Sequence, residues 1–313
     1  MEGTGDFLNG DYSLLKKEHI EVFCRVLNIN EEQIERIYEN PGRSANNSNV
    51  VIVVDDKSYL FRIPGAGTEK FCSREREALA YDLLKDTGLT DKVIYLSVET
   101  GVKISKYYEN SRIPSGNNQE ELKASMETLK KLHKLDIDFP YVDTLFDRMK
   151  RYRDFALEVG GGKYYLEGFD SFYQKMLEFE EVVKDFDKEL CFTHGDASIN
   201  NLLITQEHDY PILIDMEFPA IGTRFEDIAT FCVDADFRAD KILLMTEFYL
   251  GRKPTDREAY HVLGLSAVAS MMWYSWAAYK SAVEEDNKLF LDFRDDYHSY
   301  VTDVYGAAEE IGI

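Results

Sequence analysis

Between residues 190 and 217 the chain carries three apolar runs, LCFT, NLLIT and PILIDME, each too brief for a helix and bounded by polar turns. Long amphipathic patterns with helical spacing flank them, at 119–135, 143–158 and 166–188 before and at 238–250, 256–280 and 286–311 after. The rear two thirds of the chain are therefore read as helical, with a small strand-bearing insert.

The opening third reads differently. Leu14, Leu15, Ile20, Phe23, Leu27, Ile34 and Ile37 recur at helical spacing and predict two short helices before about Glu39. PGRSANNSN, from Pro41 to Asn49, breaks the pattern. VVIVV at 50–54 and SYLFRI at 58–63, joined by Asp55-Asp56-Lys57, read as a β-hairpin. Ser73 to Gly88 reads as a helix with Ser at its N-cap, and two more strands follow around Glu99-Thr100-Gly101. The expected fold class is α+β in two lobes. Residues 1–107 form a small lobe with a helical extension over 1–40, residues 108–117 a linker, and residues 118–313 a large helical lobe.

Composition limits the partners. The balance of 36 basic against 58 acidic residues, a net charge of −22, gives a field that repels nucleic acid and anionic membranes and favours a cationic small molecule, while most of the acidity is read as serving solubility. The four cysteines, Cys24, Cys72, Cys191 and Cys232, show no metal-binding or redox spacing. The N-terminus has no basic and apolar leader, so a cytoplasmic protein is expected. The uncharged stretch Val262–Tyr279 is long enough to span a bilayer, yet it contains Gly and several Ser, stands alone and precedes an acidic tail; a core helix is the expectation.

His194-Gly195-Asp196-Ala197-Ser198-Ile199-Asn200-Asn201 has the form HxDxxxxN between two of the apolar runs, and the third run ends on Asp215 and Glu217. Phosphoryl transfer to a hydroxyl needs this set: a carboxylate to accept the hydroxyl proton, a neutral oxygen ligand, and one or two carboxylates to hold magnesium. A single Asp in a loop means little, since Asp and Asn populate turns for backbone reasons. The joint pattern is far more specific.

HGDASINNLLI together with ILIDMEFPAIGTRFEDIATF resembles the catalytic core of the choline/ethanolamine kinase group, a branch of the aminoglycoside-phosphotransferase and protein-kinase-like superfamily. SYLFRIPGAGTEKFCSREREAL resembles that group's small lobe, and MMWYSWAAY its late helix carrying W-x-x-W, so the resemblance runs from about Gly42 to Tyr300. It implies a protein-kinase-like fold using ATP and Mg2+, with Asp196 aligning the acceptor hydroxyl and taking its proton. Asn201 and Asp215 are then metal ligands and Glu217 a further one. Arg62 takes the place of the kinase strand lysine and pairs with Glu77. Backbone groups of Ser105 to Tyr107 would meet the purine edge. Where relatives show a Gly-Gly pair this chain has Gly42 to Ser48, whose amides and polar side chains, Asn46 among them, are expected to cover phosphate. Trp273 and Trp276, the only tryptophans, share one helix face at i, i+3 and would cage a quaternary ammonium, with Asp234 as the nearby carboxylate. Tyr274, Phe293, Tyr297 and Tyr300 are candidates for a third wall, and Asp227 resembles a residue that supports the catalytic loop.

The expected activity is phosphorylation of choline to phosphocholine. An ethanolamine, aminoglycoside or other small-alcohol kinase would differ only in the acceptor pocket. A non-catalytic binding pseudokinase is disfavoured by the presence of Asp196, Asn201 and Asp215 together. Oligomeric state leaves no mark in the sequence.

Overall fold

Asp55 and Asp56 both adopt positive φ, 49° and 58°, the conformation required of the two central residues of a tight hairpin turn. They join β2 (Asn47–Val54) to β3 (Lys57–Pro64) in the antiparallel pairing expected of the two β-branched runs. This computed structural model describes residues 14–40, 47–65, 67–186, 189–285 and 287–312. The chain divides into two compact units, Met1–Arg112 with Thr205–His208, and Ile113–Ile204 with Asp209–Ile313.

The first unit is a five-stranded sheet in the order β1-β2-β3-β5-β4, with β1 at Ile34–Glu39, β4 at Val93–Leu96 and β5 at Lys103–Lys106. Helix α1 (Lys17–Leu27) buries Ile20 and Phe23 in a core shared with Ile34, Ile37, Ile52, Phe61 and Ile104. Helix α2 (Arg74–Leu84) starts at Ser73, whose hydroxyl accepts the N–H of Arg76. The second of the two expected early helices is a strand. Ile34 and Ile37 both face the core at a spacing of three because the register with β2 shifts between Ile34 and Arg36; this bulge inserts one residue and breaks the two-residue alternation.

The second unit is mainly helical. Its helices are α3 (Gln119–His133), α4 (Leu145–Gly160), α5 (Phe169–Val183), α6 (Arg224–Asp234), α7 (Ala239–Leu250), α8 (Asp256–Val283) and α9 (Lys288–Glu309). Helix α8 is the apolar stretch read as a core helix. It packs against α4, α6 and α9 and is buried on nearly every side. Gly264 permits this packing, since a Cβ there would lie 2.1 Å from the Phe179 ring. Among the described residues no helix is long and apolar enough to cross a membrane. The brief apolar runs form two small antiparallel pairs, β6 (Leu190–Thr193) with β9 (Ala220–Thr223) and β7 (Leu202–Leu203) with β8 (Ile212–Leu213). Neither β9 nor α6 is among the elements expected from sequence.

Candidate active site

The turn after β6 carries His194, Gly195 and Asp196, and its shape is over-determined. Gly195 has φ 79°, and a Cβ at that position would stand 1.9 Å from the Phe218 carbonyl oxygen, so only glycine fits. Asp227, in the first turn of α6 and fully buried, accepts the N–H of His194 on Oδ2 and that of Gly195 on Oδ1, each at 2.8 Å. Its Oδ2 also lies 2.9 Å from His133 Nε2, and His133 Nδ1 lies 2.8 Å from the Tyr249 hydroxyl. Burial alone would raise the Asp227 pKa; the His133 bond and charge, with the His194 N–H, outweigh it and hold the carboxyl below its usual range. His194 is buried too. Its Nε2 is 2.9 Å from the Ile214 carbonyl oxygen and its Nδ1 accepts the Asp196 N–H at 3.2 Å, the pattern of a neutral ring protonated on Nε2. Burial lowers its pKa accordingly.

These contacts present the Asp196 carboxylate beside Asn201. The Asn201 Nδ2 donates to the Asp196 carbonyl oxygen at 2.9 Å and to its Oδ2 at 3.1 Å, so the amide oxygen is the Asn201 atom able to face a cation. The Asn201 carbonyl oxygen accepts the N–H of Ile214 and draws the end of β8 alongside. Asp215 follows with φ 62°, an uncommon conformation for a residue with a side chain, and its carbonyl oxygen accepts the Glu217 N–H at 2.8 Å. The tight turn brings a carboxylate oxygen of Asp215 within 4.8 Å of one of Glu217. Burial, then the charge of Asp234, then Asp215 and Glu217 push the Asp196 pKa up to about 7, with Arg148 opposing them. Arg148, on α4, is 1% exposed, its guanidinium carbon 5.7 Å from the Phe218 ring centre. Its Nε and Nη1 make no hydrogen bond among the described residues.

The two indoles stand at right angles, with centroids 5.7 Å apart and planes at 89°. Trp276 continues into Phe290 at 5.5 Å and Phe293 at 6.4 Å, and Phe293 into Tyr297 at 6.5 Å, so α8 and α9 share an aromatic wall. Burial first, then the charges of Asp234 and Asp196, raise the Tyr297 pKa. Asp234, at the last turn of α6, accepts hydrogen bonds on Oδ2 from Ser198 Oγ at 2.5 Å and Asn200 Nδ2 at 2.7 Å. The other two candidate wall residues are engaged differently. The Tyr274 hydroxyl accepts the Leu166 N–H and its ring packs on Phe169, while the Tyr300 hydroxyl donates to the Phe237 carbonyl oxygen.

In the first unit, Arg62 on β3 donates from Nη2 to Glu77 Oε2 on α2 at 2.7 Å, both residues being buried. Lys103 lies opposite Arg62 in the β3–β5 register, its Nζ 3.8 Å from Glu77 and from Asp91 and 2.9 Å from the Tyr81 hydroxyl, which donates to Asp91. Glu77 thus sits between two buried cations, an arrangement costly in desolvation and more readily explained by function than by stability. Ser105 lies within β5, and the Tyr107 N–H donates to the Ser58 carbonyl oxygen at 3.0 Å, which removes that N–H from the groups able to meet a purine edge. Asn46 lies outside the described residues.

Within the second unit the structure thus groups Asp196, Asn201, Asp215 and Glu217 at the ends of the small strands, with Asp234 joined to the same loop through Ser198 and Asn200, and sets the Trp273–Trp276 pair against Phe290 and Phe293. Within the first it joins Arg62 to Glu77. Lys103, His133 and Arg148 are not singled out by the sequence reading. Lys103 shares its strand with Ser105 and a second lysine, Lys106, and carries no signal that sets it apart. His133 and Arg148 lie on amphipathic helices far along the chain from their partners and carry none.

A sequence model of the choline/ethanolamine kinase family matches residues 44–243. Protein LicA of Haemophilus influenzae strain Rd is 26% identical over 258 residues, spanning 79% of this chain and 93% of LicA. The crystal structure of choline kinase LicA from Streptococcus pneumoniae superposes with a TM-score of 0.77 at 19% identity, over 93% of this chain and 98% of that one. A structure of LicA in complex with AMP gives 0.75 at 19% identity, over 94% and 98%. The fold is protein-kinase-like, as expected from the motifs. Matched by the family model over well more than half its length, the chain belongs to the choline/ethanolamine kinase family, phosphotransferases that act on a small alcohol.

Proposed function

We propose that the protein is a choline kinase that transfers the γ-phosphoryl group of ATP to the choline hydroxyl. The observation that carries this reading is the perpendicular pair Trp273 and Trp276, continued by Phe293 and Tyr297. A trimethylammonium group has no N–H to donate and is held by aromatic faces and nearby negative charge, at ~2 kcal/mol or more for a desolvated contact. The chain's acidity favours the same cationic acceptor.

The residues divide the chemistry as follows. Asn201 occupies Oδ2 of Asp196, leaving Oδ1 to align the choline hydroxyl and take its proton as the oxygen attacks the γ-phosphorus and the bond to the β-phosphate oxygen breaks. The raised pKa of Asp196 suits a base working near neutral pH. A donor set of two close carboxylates and an amide oxygen fits a hard divalent cation: Asp215, Glu217 and Asn201 would hold Mg2+. Bound there, the ion would neutralise phosphate charge during transfer. Asp227 and His194 hold the loop so that Asp196 needs no rearrangement. In the first unit, Arg62 and Glu77 are the proposed phosphate-holding pair, with Lys103 supporting Glu77 from its other side.

ADP release measured with choline, ethanolamine and a panel of aminoglycosides, in the presence of Mg2+, tests the assignment. Choline is expected to give a kcat/KM at least about tenfold above the others. An aminoglycoside used as well as choline, or no acceptor-dependent release, would overturn it.

A further inference from the structure

The Asp234 carboxylate is held from the catalytic loop itself. Ser198 Oγ and Asn200 Nδ2 both donate to the same oxygen, Oδ2, at 2.5 and 2.7 Å, and two donors fill the two lone-pair positions of that atom. Oδ2 of Asp234 is therefore filled, and Oδ1 is the carboxylate oxygen left to accept a further donor. Burial raises the Asp234 pKa, and the bonds from Ser198 and Asn200 with the N–H groups of Asn200 and Ile199 oppose that rise.

Resting on the choline reading above, we propose that Ser198 and Asn200 are specificity-determining residues, which favour a quaternary over a primary ammonium acceptor by filling Oδ2 of Asp234 and leaving Oδ1 alone to accept from the substrate. The two ammonium types ask different things of a carboxylate. The quaternary ion responds only to charge and to aromatic faces, which Asp234 and the Trp273–Trp276 wall still supply. A primary ammonium brings three N–H donors, each of which has to find an acceptor on leaving water. Beside a carboxylate with Oδ1 alone left to accept, and against indole and phenyl rings, not all three donors are met. Discrimination based on unpaired polar groups is steeper than discrimination based on shape, so two neutral side chains of the loop can set the acceptor preference without touching the acceptor.

The Asn200 side chain is the cleaner probe. It is exposed, and its bond to Asp234 is its one side-chain hydrogen bond among the described residues. Ser198 also accepts the Asn200 N–H at 3.1 Å and so shapes the loop, which means that Ser198→Ala is expected to slow both substrates. The quantity to follow is the ratio of kcat/KM for ethanolamine to that for choline, in which a general loss of loop order cancels. Asn200→Ala is expected to raise this ratio about fivefold, and Ser198→Ala/Asn200→Ala about tenfold or more, through improved use of ethanolamine. Calorimetric binding of ethanolamine and choline to the same variants is expected to move in the same sense. If Asn200→Ala phosphorylates choline and leaves the ratio unchanged or lower, the inference is wrong while the choline assignment stands. If the unmutated protein uses neither amino alcohol, the assignment fails and takes this inference with it.

Discussion

The Asp227 carboxylate accepts the backbone N–H of Gly195 at 2.8 Å from a fully buried position, while its second oxygen takes the N–H of His194 and faces His133. This bidentate hold fixes the turn at His194–Asp196 through its main-chain amides. Asp227→Asn leaves one acceptor oxygen and turns an NH2 toward the remaining donors. The expected cost is about 2–4 kcal/mol of stability, read by denaturant unfolding, with a fall in kcat of about tenfold or more and little change in KM. A folded variant with unchanged kcat would contradict the positioning role.

Glu226, one residue earlier, predicts a dependence of stability on pH. Burial, and next to it Asp227, push its carboxyl up to about 8, although Arg148 and the N–H groups of Thr223 and Leu145 oppose them. The folded state thus keeps a proton that the unfolded chain releases near ~4.3, and between those values the folded state binds more protons. Stability contributed at this site is present below the lower value and lost as pH rises toward the upper one. Glu226→Gln removes the dependence and keeps an oxygen for the Leu145 N–H that Glu226 Oε2 accepts. Its melting temperature is expected to exceed the parent's by several degrees at pH ~8, the gap closing toward pH ~4.5. A gap that does not vary with pH, or one of the opposite sign, would show that Glu226 does not titrate as described.

Much of this was legible in the sequence, and the exceptions have physical causes. Asp196, Asn201, Asp215 and Glu217 lie within 22 residues, on turns between apolar runs, so local spacing alone groups them. Helix α6 escaped the periodicity argument because every residue from Phe225 to Val233 is buried, which leaves no polar face to alternate with an apolar one. Its cap was nonetheless written in the chain as Thr223 followed three residues later by Glu226, and the Thr223 hydroxyl accepts the Phe225 N–H. The strand at 34–39 was hidden by a bulge that gave it the spacing of a helix. The role of His133 depends on a contact with Asp227 across 94 residues, which no local pattern encodes.

Arg62 and Glu77 carry the next prediction. The guanidinium donates from Nη2 to Glu77 and can present its other N–H groups in the same plane, whereas an ammonium cannot serve a carboxylate and a phosphate in that fork geometry. Arg62→Lys is expected to raise the KM for ATP about five- to tenfold and to leave the KM for choline nearly unchanged. An unaltered KM and kcat for ATP would make Arg62 a bystander.

The indole wall predicts a selective loss. Trp273→Leu or Trp276→Leu keeps most of the apolar bulk of α8 but removes a ring whose face attracts the cation. At ~1–2 kcal/mol per ring, choline affinity is expected to fall about 5- to 30-fold by calorimetry, with ATP binding nearly constant. Trp273, the more exposed of the two, is the safer probe, since Trp276 is 6% exposed and packs on Phe290. Parallel loss of choline and ATP binding with a lowered melting temperature would assign the rings to the core alone.

The most direct test of the account is phosphocholine formation from ATP and choline by the parent protein and by Asp196→Asn, each shown to be folded by thermal melting. The amide keeps the size of the side chain and an oxygen able to accept from Asn201 Nδ2, but it cannot take the hydroxyl proton. The parent is expected to form phosphocholine in step with ADP, and the variant to lose at least about 100-fold in kcat while binding choline and ATP. A folded Asp196→Asn protein that makes phosphocholine at a rate near the parent's would contradict the central claim.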